Sequence, residues 1–547
     1  MSGENTRSNT ISRKEFLRYM AIIAGGTVTV AQYVACMEKK DNYAHINSRI
    51  SGASAKAGHM MRDQQFGTPA ITEYADAVIV GGGVAGLSAA RSLHHSGFTN
   101  FRLLELEPHT GGNASYGSNQ YSAYPLGAHY LPIPNIENQP LLDLLAEAGI
   151  LTHYNADGLP VYNETDLCYD PEERLYIRNR WQEGLIPQLG ISQQTQDEIK
   201  KFLELMETLR RAKGSDNRYA FDIPADNSST DASYRELDQL TMEAWLQQQG
   251  YHSEELRWYL DYCCRDDYGA GISTISAWAA IHYFASRKGK AGNADSSQLL
   301  TWPQGNGRLA QHLQQFSRDK TQTGCVVYKI TPEPTQVLID YYDINTHQIK
   351  RLVAKACIMA TPQFVTQRLI PGGSYHHDFV YSPWLVANIT LERVPESSGY
   401  QLSWDNVIYQ GKSLGYVNAQ QQRLTQQMPA KQVITYYLPL DHLDPVASRK
   451  YAIGLSPRHW VKLIADDLET VHPGITELIG DIDITIWGHG MIRPHAGFIT
   501  GEVRAAAQKS PFANVFYAHS DLSGISIFEE AFYHGNKAAN ALAAYCS

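Results

Sequence analysis

Six residues, Gly81-Gly82-Gly83-Val84-Ala85-Gly86, restrict this chain more than any other stretch. They follow a short β-branched apolar run over 74–80, the profile of a buried parallel strand. Residues 87–95 then read as a helix. A bare G-x-G-x-x-G is weak evidence, but between a strand and a helix it specifies a dinucleotide-binding turn. Gly81 permits the tight turn, Gly83 lets the backbone approach a pyrophosphate, and Gly86 lets helix and strand pack closely. Val84 and Ala85 open the helix, whose free N–H groups and positive dipole end face the phosphates. A second strand over 101–105 ends on Glu105, about 20 residues further on, where a carboxylate accepts ribose hydroxyls.

The glycine pattern does not choose between NAD and FAD. The residues after it do. Glu105-Leu106-Glu107-Pro108-His109-Thr110-Gly111-Gly112 resembles the ExxxxxGG signature of the flavin amine oxidase and phytoene desaturase superfamily. That resemblance implies FAD as cofactor and an oxidoreductase activity. Asn113 follows the pair where relatives often carry an arginine on the pyrophosphate. The stretch Tyr124-Pro125-Leu126-Gly127-Ala128-His129-Tyr130 resembles the segment passing beside the flavin ring, which implicates Gly127, Ala128 and His129. The turn Pro303-Gln304-Gly305-Asn306-Gly307 resembles the glycine turn before the second dinucleotide-domain segment, and Val327 matches a valine whose backbone contacts adenine. Near the C-terminus, Asp521 matches the acid that holds the ribityl chain, although His519 replaces the usual glycine. Ile527 and Phe528 open the last helix, whose N-terminus is expected at the flavin N1–C2=O edge.

The resemblance touches 74–130, 300–365 and 485–540. It implies an α/β fold in which a Rossmann-type FAD-binding domain is assembled from discontinuous segments, with a second α+β substrate domain. The expected boundaries are an export signal over 1–36, a linker over 37–72, FAD-binding segments over 73–150, 299–372 and 483–547, and substrate-domain segments over 151–298 and 373–482. The stretches 198–211, 237–249 and 254–264 read as helices of a cap; 385–391 and 433–438 read as strands.

For the chemistry, the same resemblance implies Trp487 in front of the flavin and Phe498 at one aromatic cage position, with Ile527 at the other. Many amine oxidases carry a lysine, bonded through water to flavin N5, where this chain has Asn388. An amide holds a water but cannot titrate. His489, His495 and His519 fall in flavin-side segments, and one of them is a candidate to tune the flavin or carry a proton. Asp266 and Asp267 end a predicted helix, either as a salt-bridged cap or facing a cationic amine. The vicinal Cys263-Cys264 pair reads as helix packing, and the seven cysteines form no metal pattern.

Three functions follow. The first is an exported FAD-dependent oxidoreductase taking an amine or polyamine by hydride transfer to flavin N5. The second is an FAD-dependent desaturase or isomerase of an apolar lipid or isoprenoid. The third is a non-catalytic flavin-binding protein. A cationic substrate calls for an acidic pocket; a lipid calls for a wide apolar tunnel. With a net charge of -10 and no basic run, a nucleic-acid partner is not expected.

The N-terminus carries its own signals. Ser12-Arg13-Lys14-Glu15-Phe16-Leu17 resembles a twin-arginine export motif with Lys14 at the second arginine. An apolar stretch over 19–35 ends in Val34-Ala35-Cys36, which resembles a lipoprotein cleavage box. The expectation is a periplasmic or membrane-tethered protein, with Cys36 as the lipid-anchor site.

Overall fold

The computed structural model describes residues 41–63, 66–370, 377–423 and 430–547. Residues 46–547 form one compact unit. The export signal and Cys36 lie outside the described residues.

Two large sheets organise this unit. The first has seven strands. Ile71–Val80 lies at its centre, with Phe101–Leu104 and then Thr321–Gln322 parallel on one side. On the other side Gln348–Met359 runs parallel to it from Lys350 to Met359. Gln348–Met359 also closes an antiparallel meander with Val337–Asp343 and Cys325–Pro332. The short strand Val515–Tyr517 adds in parallel to Gln348–Met359. This sheet therefore draws strands from three separated stretches of chain. The inner ends of its parallel strands are apolar on both faces, because helices pack on one and meander residues such as Val327, Ile339 and Tyr341 share a core with the other. Val78, Ile79, Ile358 and Met359 are almost fully buried. Helix Val84–His95 packs on one face beside the C-terminal helix Phe528–Cys546. The two helices meet at Gly535, where an added Cβ would lie 2.3 Å from the Ala85 carbonyl oxygen. Only a residue without a side chain allows that approach.

The second sheet has eight strands in the order Asn47–Ser51, Ile479–Ile492, Tyr381–Leu391, Gln432–Pro439, Gly415–Asn418, Asp405–Ile408, Glu173–Ile177 and Arg180–Glu183. Every residue of Tyr381–Leu391 is buried, since both of its faces are covered. A layer of helices adjoins this sheet: Gln193–Arg211, Met242–Gln248, Glu254–Tyr268 and Ala277–Ala285. Gln193–Arg211 and Ala277–Ala285 start on serine N-caps, whose Oγ accepts from the third residue inside. The expected helical stretches coincide with three of these helices, and the expected strands with Tyr381–Leu391 and Gln432–Pro439.

Of the stretch expected as a linker over 37–72, residues 47–63 depart from it. Asn47–Ser51 joins the large sheet in parallel with Ile479–Ile492, and Ala55–Asp63 is a helix. Arg49 pairs with Asp483 at 2.6 Å, and Ser51 Oγ donates to the same carboxylate at 2.5 Å. The small polar residues that resemble a tether are sheet-edge residues, whose outward side chains need not be apolar. Among the described residues no helix is long and apolar enough to cross a membrane.

Candidate active site

The glycine turn is built as its spacing requires. Gly81 has φ +106°, and a Cβ there would sit 2.5 Å from the Ala360 oxygen. A Cβ on Gly86 would lie 1.9 Å from the Gly81 oxygen. Gly83 is the N-cap of Val84–His95 and offers no side chain to its amides, which leaves them free for an anion. Gly111 and Gly112, both at positive φ, pack against this turn, and Gly111 N–H donates to the Gly82 oxygen at 2.8 Å. A Cβ on Gly83 would find nothing nearer than Gly112 Cα at 3.9 Å. These facing glycines leave a bare backbone cradle of the kind a pyrophosphate fills.

Glu105 stands at the end of Phe101–Leu104. Its Oε2 accepts from Gly82 N–H at 2.6 Å and its Oε1 from Glu107 N–H at 2.8 Å. Desolvation pushes its pKa up, against those two donors. Val327 is buried beside Val80 and Leu104, at a bulge in its strand. Asp521 is 1% exposed in the turn Ser520–Leu522. Its Oδ2 accepts from Tyr381 Oη at 2.5 Å and from Gln363 N–H at 2.8 Å. Its Oδ1 lies 3.0 Å from His519 Nδ1. That nitrogen already accepts from Asp521 N–H at 3.2 Å, so in the matching tautomer Oδ1 has no donor.

A cavity of about 140 Å³ joins this region to the second sheet. Of the residues expected around a flavin ring, Gly127, Ala128, His129, Trp487, Ile527 and Phe528 all line it, and so does Asn113, which was expected at the pyrophosphate. Asn113 Nδ2 is tied to the Gly490 oxygen, and Trp487 Nε1 donates to the Leu126 oxygen at 2.6 Å. Asn306, 2% exposed, also lines it, and its Oδ1 has no hydrogen-bond partner. A buried acceptor without a donor suits a ligand that brings an N–H or O–H. The open glycine cradle, the orphaned Asp521 and Asn306 oxygens and the uncapped start of Phe528–Cys546 all fit an FAD.

The other end of the cavity is aromatic and acidic. Tyr437 stands 4.6 Å from the His129 ring, and its hydroxyl donates to the Gly127 oxygen at 3.0 Å. Trp384 and Tyr130 complete the wall. Desolvation pushes His129 down to about 3, so the imidazole is neutral. Asp266 and Asp267 reach the cavity from the end of Glu254–Tyr268, which Gly269 terminates in the left-handed region at φ 64°. Carboxylates at a helix C-terminus oppose the dipole. Arg287 offsets Asp267 at 3.0 Å. Asp266 receives only the Tyr130 hydroxyl, at 3.4 Å, and no described lysine or arginine forms an ion pair with it. Burial, with repulsion from Asp267, pushes Asp266 up to about 7, against the longer-range attraction of Arg287.

Several expected site residues lie elsewhere. Phe498 does not line the cavity. It is 2% exposed and packs on Phe379 at 5.3 Å in the core of the helical layer. Asn388 does not line it either. Its Nδ2 donates to the Pro125 oxygen at 3.1 Å and its Oδ1 accepts from Thr435 Oγ1 at 2.8 Å, so both ends of the amide are used. On the same face of that strand, Trp384 and Val386 reach the cavity. None of His489, His495 and His519 lines it. His489 stacks on Phe364 at 4.1 Å; desolvation, with repulsion from nearby Arg449 and Arg368, pushes its pKa down. Cys263 and Cys264 are buried free thiols whose pKa values desolvation raises, as helix packing requires. Tyr130, the last residue of the expected flavin-side stretch, lines the cavity too, while Arg287, Trp384, Tyr437 and Glu529 line it without a role read from the sequence.

Residues 84–543 match the family of flavin-containing amine oxidoreductases. The chain belongs to that family. It is an FAD-dependent oxidoreductase. Solved structures of other family-like proteins share its fold. A putrescine oxidase bound to putrescine is similar at 15% identity with a TM-score of 0.63, over 86% of this chain and 100% of that one. Cyclohexylamine oxidase from Brevibacterium oxydans is similar at 15% identity and 0.61, over 86% and 99%. A fatty acid isomerase from P. acnes that produces CLA is similar at 15% identity and 0.58, over 85% and 97%. At such identities the likeness shows the fold. Among the described residues no cluster of ligands for a metal ion occurs.

Proposed function

We propose that this family member oxidises a cationic amine, and that Asp266 anchors the ammonium group. The single observation behind this is the Asp266 carboxyl, which lines the cavity with no ion-paired cation while its neighbour Asp267 holds Arg287. A carboxyl in that position costs free energy unless a cation joins it. His129, Tyr130, Trp384 and Tyr437 supply an aromatic wall that suits a cation beside it and excludes water. Bound FAD supplies the two-electron acceptor. Glu105 and Asp521 would hold its ribose and ribityl hydroxyls, and the glycine turn with Gly111 and Gly112 its pyrophosphate. Val327 would meet the adenine through its backbone. Trp487, fixed by its bond to the Leu126 oxygen, would face the ring.

In this reading the seven-stranded sheet is the Rossmann-type part, with strands drawn from 73–150, 299–372 and 483–547, although the start of that last stretch, up to Ile492, lies in the eight-stranded sheet. The eight-stranded sheet and its helical layer are the substrate part. Export through the twin-arginine-like leader, with Cys36 as anchor, belongs to the same proposal. The desaturase or isomerase reading needs an apolar channel; the three carboxyls Asp266, Asp267 and Glu529 at one cavity count against it.

The experiment is anaerobic mixing of the flavin-loaded protein with a panel of mono-, di- and polyamines, followed by flavin absorbance. Bleaching by an amine class is expected, and re-admitted oxygen then identifies or excludes dioxygen as acceptor. A flavin that stays oxidised with every amine overturns the proposal in favour of the isomerase reading. Bleaching by no substrate of any class leaves the non-catalytic one.

A further inference from the structure

Beside the main cavity lies a second, much smaller one of about 10 Å³. It has room for about one water molecule. Its lining includes Asn135, Asn138 and Ile223, next to the exposed residues Ile136 and Glu137. Two charged side chains, Arg287 and Glu529, line both cavities. Glu529 is the second residue of Phe528–Cys546 and is 6% exposed. Among the described residues no side chain is hydrogen-bonded to its carboxyl; Arg287 acts on it through charge.

We propose that Glu529 is the proton carrier of the amine site, moving protons between the substrate cavity and the one-water cavity behind it. The inference rests on the amine reading above. An ammonium ion has no lone pair, so it must lose a proton before its α-carbon can be oxidised. The step balances as R–CH2–NH3⁺ plus Glu529–COO⁻ giving R–CH2–NH2 plus Glu529–COOH. The carboxylic acid then passes that proton to water in the small cavity and returns to carboxylate.

The other groups around Glu529 are unsuited to this work. Desolvation keeps His129 neutral and the Tyr130 and Tyr437 hydroxyls protonated. Asp267 is committed to Arg287. Asp266 faces the main cavity but not the small one. On its own helix Glu530 points away, accepting from Ala225 N–H at 2.6 Å and Ser523 Oγ at 2.5 Å. Desolvation pushes Glu529 up to about 7, which lets it take and give a proton near neutral pH.

The test is stopped-flow anaerobic reduction of the flavin-loaded enzyme by 1,4-diaminobutane across pH, with wild type and Glu529→Gln compared. Infrared titration of the substrate-free protein is run alongside. The wild-type reduction rate is expected to rise with pH through about 7. In Glu529→Gln that limb disappears, the rate near neutrality falls roughly 100-fold, and it recovers at alkaline pH where the free amine enters already neutral. Of the protonated-carboxyl infrared signals that titrate near neutrality, the Glu529 component is lost in the same variant, while that of Asp266 remains. An unchanged pH profile in Glu529→Gln overturns the proposal, as does an unchanged carboxyl titration. If Glu529→Gln fails to retain flavin, Glu529→Asp carries the test. It keeps an acid but moves it, so the midpoint must shift, and an unshifted midpoint overturns the assignment. Failure of the amine reading looks different: wild-type flavin is then not bleached at any pH, while the carboxyl still titrates.

Discussion

The substitution Asp266→Asn separates binding from stability in opposite directions. An isolated aspartate titrates at 3.8, and in the fold burial beside Asp267 pushes Asp266 up to about 7. For an acid whose folded pKa is raised, the folded state holds its proton more tightly than the unfolded chain does. The contribution to stability is therefore complete below about pH 4 and is lost as pH rises to about 7. A gap of about 3 units corresponds to about 4 kcal/mol, and solvent reaching the cavity reduces this to about 2–4 kcal/mol. Asparagine keeps the shape and the Tyr130 contact but has no proton to lose. Substrate-free Asp266→Asn is thus expected to unfold at a higher temperature than wild type at about pH 8, and to match it or fall slightly below it at about pH 4. Substrate affinity moves the other way. Removing one partner of a buried charge pair costs about 2–5 kcal/mol, a rise of at least roughly 30-fold in the Kd for the amine. The assays are thermal unfolding at both pH values and the amine concentration dependence of anaerobic flavin reduction. A variant that is no more stable than wild type at the alkaline pH refutes the assignment of a strained carboxyl. Unchanged amine affinity refutes its role as anchor.

Three further outcomes follow from the geometry. Gly86→Ala places a methyl 1.9 Å from the Gly81 oxygen, so the turn must open; the purified protein is expected to lose its flavin absorbance. Glu105→Gln keeps the size but not the charge that accepts ribose hydroxyls, and FAD affinity, measured by titration of the apoprotein, is expected to fall by about 1–2 kcal/mol, roughly 5- to 30-fold. Asn388→Ala leaves the Thr435 hydroxyl and the Pro125 carbonyl without their partner, so chemical denaturation is expected to show a loss of about 1–3 kcal/mol while amine affinity stays unchanged.

The contrast between Gly81 and Asn388 shows how far a linear reading reaches. The glycine turn is local: its strand, turn and helix are contiguous, and Gly81 and Gly86 answer to steric limits within a few residues or at one neighbouring strand. Asn388 is a different matter. Its strand was legible from its alternation, but which of Trp384, Val386 and Asn388 meets the cavity depends on what packs over that face, and Pro125 and Thr435 occupy the amide. Phe498 failed for a related reason. An aromatic ring in apolar surroundings fits a core as well as a cage, and Phe379 decides for the core. The stretch 47–63 resembled a tether because an edge strand and a short surface helix need few apolar residues of their own.

The sequence by itself determined the dinucleotide turn, Glu105, the Gly111-Gly112 pair and hence the family, because those features follow from steric and hydrogen-bond limits acting over short spans. Only the tertiary structure decided that Tyr130, Asp266, Asp267, Arg287, Tyr437 and Glu529 share one cavity. They come from five separated stretches of the chain; Asp266 and Asp267 stand out at a helix end and Tyr130 closes the flavin-side stretch, but nothing in the sequence brings them together with Arg287, Tyr437 and Glu529. Their chemistry depends on distance and desolvation, which arise when the two sheets and the helical layer pack together.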